Sequence, residues 1–177
     1  MVVPNCVPAS ARITKHREGS PVRLLLASSD SVRVDFVIAA IEQVLKDDSL
    51  NVELVCIGPP SQAIESASIS MTEVHPCMSY EGFKEFLSQS DNTIGLVPLD
   101  DSRFSRCKSV VKYLDYASAG IPTICSDVAP YSGVVKDQVT GVLCQNETEA
   151  WVHAIRDLAL SVAKRECLGK QARDDVR

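Results

Sequence analysis

Short apolar runs alternate with amphipathic stretches from residue 22 almost to the end of the chain. Residues 22–27 (VRLLLA) and 51–57 (NVELVCI) are strand-like segments, the second closed by Gly58-Pro59-Pro60. Between them, residues 34–45 carry apolar positions at helical spacing, behind a turn of capping residues at Ser28, Ser29, Asp30 and Ser31. This is a β-α-β unit. The alternation continues with a weaker helix near 62–67, a strand near 69–75, a helix from about 80 to 87 and a strand at 93–99 (TIGLVPL). A helix over about 108–119, a strand at 122–126, a short turn near 131–135 and a strand at 141–143 follow. Residues 147–161 read as an amphipathic helix with Trp151, Ile155, Leu158 and Leu160 inward, and a final helix is placed at 162–172. Strands alternating with helices of this length predict one doubly wound, Rossmann-like α/β domain over 22–177, with about six mainly parallel strands, helices on both faces and right-handed crossovers. Residues 1–21 lack periodicity and read as a linker.

Composition narrows this only in part. With 45% hydrophobic and 23% charged residues over 177 positions, the chain can build one real core. No apolar run approaches the roughly 20 residues needed to span a bilayer. The first twenty residues lack the basic-then-apolar order of a signal peptide, so a cytoplasmic protein is expected. A net charge of -5 argues against nucleic acid as the main partner, because backbone phosphate recognition needs a clustered basic excess. The seven cysteines stand singly, without C-x-x-C or a histidine at metal spacing, and read as reduced thiols. Cys56, Cys125 and Cys144 fall in strand-like runs and should behave as small hydrophobes. His16, His75 and His153 form no triad or metal set. The G-x-G-x-x-G fingerprint is absent after the first strand, which disfavours NAD or FAD.

The candidate chemistry lies in residues 98–135. Read as helical from Lys108, the spacing Lys108, Lys112, Asp115 puts all three on one face, with Val110, Val111, Leu114 and Ala117 on the buried side. Gly120 is the left-handed stop, and Pro122 forbids continuation. The polar loop before this helix follows a predicted parallel strand, at the sheet end where ligands bind in open α/β folds. A phosphate and sugar-hydroxyl corner is one reading; a solvated ion pair between Lys112 and Asp115 is the other. Arg103 and Arg106 are open between phosphate contact and exposed charge, and Phe104 between stacking on a base and packing under the loop. Asp127 and Tyr131 are read as shaping the turn after their strand.

Lys108, Ser109, Lys112, Tyr113, Leu114, Asp115, Tyr116, Ala117, Ala119, Gly120, Ile121, Pro122, Ser126, Asp127, Pro130 and Tyr131 spell K-S-x-x-K-Y-L-D-Y-A-x-A-G-I-P-x-x-x-S-D-x-x-P-Y. This resembles the carboxyl-terminal, donor-binding half of GT-B glycosyltransferases of group 1, the retaining GT4-like type. Pro4-Asn5 resembles the hinge between the halves, with Cys6 replacing a glycine, and Gly58, Thr140-Gly141-Val142-Leu143 and Trp151 resemble further family positions in order. The resemblance implies a domain that holds a nucleoside diphosphate sugar, with pyrophosphate at loop and helix amino termini and ribose on an acid. Carried onto this sequence, it assigns donor contacts to Lys108, Ser109, Lys112, Asp115 and Arg103, with Arg33 at the end of the first strand as a further phosphate contact. Lys108 would also act catalytically by stabilising charge on the departing diphosphate.

The family places two glutamates eight positions apart. Here Asp115 stands at the second position and Cys107 at the first, so one acid is shortened and the other missing. The resemblance implies hexosyl transfer with retention, without a metal or other cofactor, to an acceptor held by an amino-terminal half supplied in cis or in trans. A chain starting at the hinge reads as a fragment or a split protein, inactive alone, with peripheral membrane association open for the full enzyme. The alternative is a catalytically inactive partner domain of the same fold, favoured by the lost acid. A receiver-like phosphoacceptor module, suggested by Asp30, Asp100, Asp101 and Lys108, is disfavoured because those acids do not follow the strands such a module requires.

Overall fold

The structure, a computed structural model, describes residues 13–27, 35–58 and 73–177. Its elements run β1 (Val22–Ala27), α1 (Asp35–Leu45), β2 (Val52–Ile57), β3 (Glu73–His75), α2 (Tyr80–Gln89), β4 (Thr93–Val97), α3 (Val111–Ala119), β5 (Thr123–Ser126), β6 (Val142–Cys144), α4 (Thr148–Leu160) and α5 (Val162–Asp175). Short 3₁₀ turns occupy Ser105–Cys107 and Tyr131–Gly133. The strands form one parallel sheet of six in the order β3-β2-β1-β4-β5-β6. The α/β class, Rossmann-like architecture and strand count agree with the expectation from sequence. The weaker helix expected at 62–67 lies outside the described residues, as do the hinge motif and Arg33.

Side-chain alternation along each strand divides the core into two layers. Leu24, Leu26, Ile94, Leu96 and Ile124 face α1 and α4, where they meet Val37, Ile41, Trp151, Ile155 and Leu158. Leu25, Val55, Val97 and Cys125 face the opposite way, against Leu87 of α2, Tyr113, Tyr116 and Ala117 of α3, and Ala172 of α5. Gly95 lets α3 approach β4 closely: a Cβ there would stand 2.7 Å from the Tyr116 ring. The direction of winding reverses between β1 and β4, so their carboxyl ends flank the crevice that open α/β sheets use for ligands.

Three local expectations are corrected. The site helix begins at Val111 rather than Lys108. The hydroxyls of Ser102 and Ser105 both donate to the Asp100 carboxylate and tie the loop into its 3₁₀ turn, and Lys108 follows in extended backbone, φ -70° and ψ 151°. Lys108 therefore does not share a helical face with Lys112 and Asp115. The buried side of α3 is Tyr113, Tyr116 and Ala117, while Val111 is exposed and Val110 and Leu114 are only partly covered. The later start rotates the aromatic pair, rather than the valines, onto the sheet. Leu160, at the last turn of α4, is 66% exposed. Gly120 ends α3 as expected, at φ 74°, with its N–H donating to the carbonyls of Ala117 and Tyr116.

The amino end of the sheet is closed by residues 13–21. The Thr14 N–H donates to Ala119 O (2.9 Å), the Asn92 N–H to Lys15 O (2.7 Å), and the Asn92 side-chain amide to the carbonyls of Ser20 and Pro21. Arg165 of α5 is 1% exposed and threads into this layer. Its guanidinium donates to Leu158 O (2.6 Å), Ala159 O (2.8 Å), Asn92 Oδ1 (2.9 Å) and His16 Nδ1 (3.2 Å). Two of these acceptors are carbonyls from the last turn of α4, the end of a helix that attracts cations.

Candidate functional site

A cleft of about 330 Å³ opens at the carboxyl end of the sheet. Ala27 and Ile57, the last residues of β1 and β2, form its floor. Cys77, Met78, Tyr80 and Phe83, from the start of α2 and the segment before it, form one wall, and Lys112 and Asp115 of α3 the other. The first turn of α3 supplies Lys112, whose Nζ donates to the Ala27 carbonyl at 2.7 Å. That bond sets the ammonium at the mouth of the β1 strand. One turn further along, Asp115 is 4% exposed, and its Oδ1 accepts from the Tyr80 hydroxyl at 2.8 Å.

The electrostatics follow from this burial. Removal from water pushes the Asp115 carboxyl above its usual value, while the Tyr80 hydroxyl and the charge of Lys84 pull the other way. Tyr80 is raised in turn, first by its hydrogen bond to Asp115. Lys84 lies over the Tyr80 ring, 4.6 Å from its centroid. The described walls are otherwise largely apolar, so Asp115 is one of few convergent polar groups in a mostly hydrophobic cleft, the usual make-up of a small-molecule site.

Of the residues expected at the site, Lys112 and Asp115 are brought together here, each with a partner other than its neighbour on the helix. Lys108, Ser109 and Arg103 lie on the exposed loop that leads into α3 and do not line the cleft. Lys108 sits over the ring of Phe104, 5.2 Å from its centroid. Phe104 is 74% exposed, so of its two readings the packed one is not what the structure shows. Arg106 is held by Asp101 through both its Nε (2.8 Å) and its NH2 (2.7 Å), which leaves it a surface ion pair. Cys107, at the position of the missing acid, is exposed at the end of the 3₁₀ turn. Asp127 and Tyr131 shape the turn after β5: the Asp127 N–H donates to Cys144 O, and Tyr131 is buried. No side chain caps the start of α3, where Val110 occupies the capping position. Among the described residues no group of three histidine, cysteine or acidic side chains is placed to hold a metal, and no helix is long and apolar enough to cross a membrane.

Sequence reasoning missed Tyr80, Phe83 and Met78. They lie far along the chain from Asp115, and nothing in their local pattern marks them beyond the Ser79 cap, whose hydroxyl accepts from the Gly82 N–H at 3.1 Å. Topology alone brings the start of α2 across to α3.

Comparison with known proteins gives a consistent picture. A family model described as "Glycosyl transferases group 1" matches residues 21–161. No curated protein matches the sequence. Among solved structures, a variant of TarM from S. aureus in complex with Fondaparinux, alpha-GlcNAc-glycerol and UDP superposes with a TM-score of 0.73 at 16% identity, over 99% of this chain and 36% of that one. Sucrose-phosphate synthase from Thermosynechococcus elongatus gives 0.68 at 16% identity, over 96% and 41%. The C-terminal domain of a group 1 family glycosyl transferase, LpcC from Francisella tularensis, gives 0.67 at 13% identity and is covered almost end to end, 96% of each chain. This chain thus spans well under half of the first two proteins and nearly all of the isolated domain.

Proposed function

The chain belongs to the group 1 glycosyl transferases, and from that premise we propose that it is the donor-binding half of a retaining glycosyltransferase, taking a nucleoside diphosphate sugar into the cleft at the carboxyl end of the sheet. The observation that carries this reading is that a buried acid, Asp115, and Lys112 both line a largely apolar cleft beside the strand-order reversal. In this reading the apolar walls take the base and Asp115 accepts from ribose hydroxyls. The pyrophosphate lies toward the uncapped start of α3, whose free N–H groups and helix dipole favour an anion. Lys108 and Ser109, on the loop just ahead of that start, are the groups within reach of the departing diphosphate, with Arg103 and Arg33 as further cations. Their contribution is charge stabilisation that grows as the glycosyl bond breaks, which lowers the barrier without a metal.

The acceptor, a hexosyl transfer and an amino-terminal half supplied in cis or in trans belong to the same proposal. The near-complete overlap with an isolated carboxyl-terminal domain supports it. A cytoplasmic site of action, with the membrane as an optional surface, completes it. A second reading, a catalytically silent partner domain, draws on Cys107, which puts a thiol where the family carries an acid. Saturation-transfer NMR of the chain with UDP, GDP, CMP and their sugars tests the first reading. Transfer from the chain to one nucleotide, lost in Asp115→Ala and reduced in Lys108→Ala, is the expected result; no transfer from the folded chain to any of them would sink it in favour of the silent partner.

A further inference from the structure

Among the described residues Asp115 is the only acid lining the cleft, and its single described side-chain hydrogen bond comes from across the cleft rather than from its own helix. Tyr80 sits at the first residue of α2, where the Ser79 cap fixes the backbone. Its ring stands at the cleft edge under Lys84, and its hydroxyl reaches Asp115 Oδ1 at 2.8 Å. A phenol half exposed at a cleft edge would ordinarily point to water, and here it is turned inward onto a carboxylate.

We propose that Tyr80 is the positioning residue for Asp115: its hydroxyl holds Oδ1, fixes the carboxylate in one orientation facing the cleft, and reserves Oδ2 for a hydroxyl of the bound ligand. This rests on the donor-site reading above. The shortened acid gives the arrangement its purpose. An aspartate reaches one methylene less far than the glutamate the family carries, so its carboxylate needs to be held in place and held charged. Desolvation works against the charge, and the two groups that favour it, Tyr80 and Lys84, both stand on α2. Among the described residues, Glu81 and Cys77 on the α2 side and Lys112 and Tyr116 on α3 are the other titratable groups nearby, and the β1 and β2 floor, Ala27 and Ile57, brings none. Of the two favourable groups on α2, only Tyr80 donates a hydrogen bond.

Loss of the hydroxyl alone should therefore make ligand capture acid-sensitive. A ligand hydroxyl donates to the ionised carboxylate, so binding falls as pH drops through the Asp115 pKa. Removing a donor to the charged form raises that pKa. The experiment is calorimetric titration of UDP into wild type, Tyr80→Phe and Asp115→Asn from about pH 5 to about pH 8.5, with Asp115 side-chain carbonyl shifts followed by NMR in the free proteins. The ligand's own titration is common to all three and cancels in the comparison. Tyr80→Phe should bind within about threefold of wild type at the alkaline end and lose binding about one pH unit earlier on acidification, as expected for one hydrogen bond to a charged group. The Asp115 shift should titrate correspondingly higher in the free variant. An even loss of affinity with an unmoved midpoint would show that Tyr80 serves packing alone and overturn the proposal. Should UDP fail to bind wild type, the donor reading fails separately, and the free-protein titration still decides: coincident Asp115 curves would overturn the role of Tyr80.

Discussion

Two buried charged side chains mark opposite ends of the sheet, and their surroundings differ in kind. At the amino end, Arg165 spreads its guanidinium over two helix-terminal carbonyls, the Asn92 amide oxygen and the His16 ring, in a layer sealed by residues 13–21. At the carboxyl end, Asp115 is almost as deeply buried, yet it holds one phenol hydroxyl and faces an open cleft. Burial is common to both. What separates them is the number of partners the group already has and whether space for another molecule adjoins it. A saturated buried charge locks the fold, whereas an under-coordinated one beside a cavity costs stability and is open to a ligand.

The comparison breaks most visibly at Arg165. Arg165→Met should cost more than about 3 kcal/mol, because four acceptors lose their donor inside the protein; chemical denaturation would show it, with nucleotide affinity of the remaining folded fraction unchanged. His16 belongs to the same layer, and burial followed by the neighbouring guanidinium holds its pKa down to about 4 from 6.5. The folded state thus binds fewer protons than the unfolded state between these values. Stability is complete above about pH 6.5 and is lost as pH falls toward about 4, by on the order of 3 kcal/mol. Denaturation midpoints across that window should fall steeply in wild type and more gently in His16→Gln.

Gly95→Ala probes the opposite face of the sheet, at the seat of α3. The new methyl meets the Tyr116 ring and should cost about 1–3 kcal/mol by overpacking, with weakened nucleotide binding as α3 shifts. Asp115→Asn should do the reverse of Arg165→Met. Its folded-state pKa is raised, so the ionised form burdens the fold at neutral pH, and stability rises as pH falls through that pKa. Thermal melts of Asp115→Asn should therefore match or exceed wild type at neutral pH, while nucleotide affinity drops by about tenfold or more. Lys108→Ala, on the exposed loop, should leave stability within about 0.5 kcal/mol and reduce affinity for the diphosphate severalfold, more at low salt than at high.

Most of the carboxyl end was legible in the sequence, and little of the amino end was. Strand runs such as residues 22–27 and 93–97 are mostly apolar, and the α3 stop at Gly120 follows from glycine before Ile121-Pro122. Lys112 and Asp115 were found because they stand in one ordered motif. Tyr80 was not, since its role exists only once α2 is laid beside α3. The start of α3 was misplaced by three residues because Lys108 continues the helical spacing, while the hydroxyl bonds to Asp100 that bend the loop leave no periodic trace. His16, Asn92 and Arg165 are separated by most of the chain and look like ordinary polar residues until the fold brings them together; the left-handed backbone of Asn92, φ 53°, is equally invisible beforehand.

The most direct test of the central claim, that the under-coordinated end is the ligand site, is an amide-shift titration of the isotopically labelled chain with UDP. The account predicts saturable shifts at Ala27, Tyr80, Phe83 and Lys112 through Asp115, and none at His16, Asn92 or Arg165. Saturable shifts centred on the amino-end layer, or none anywhere in a folded sample, would contradict it.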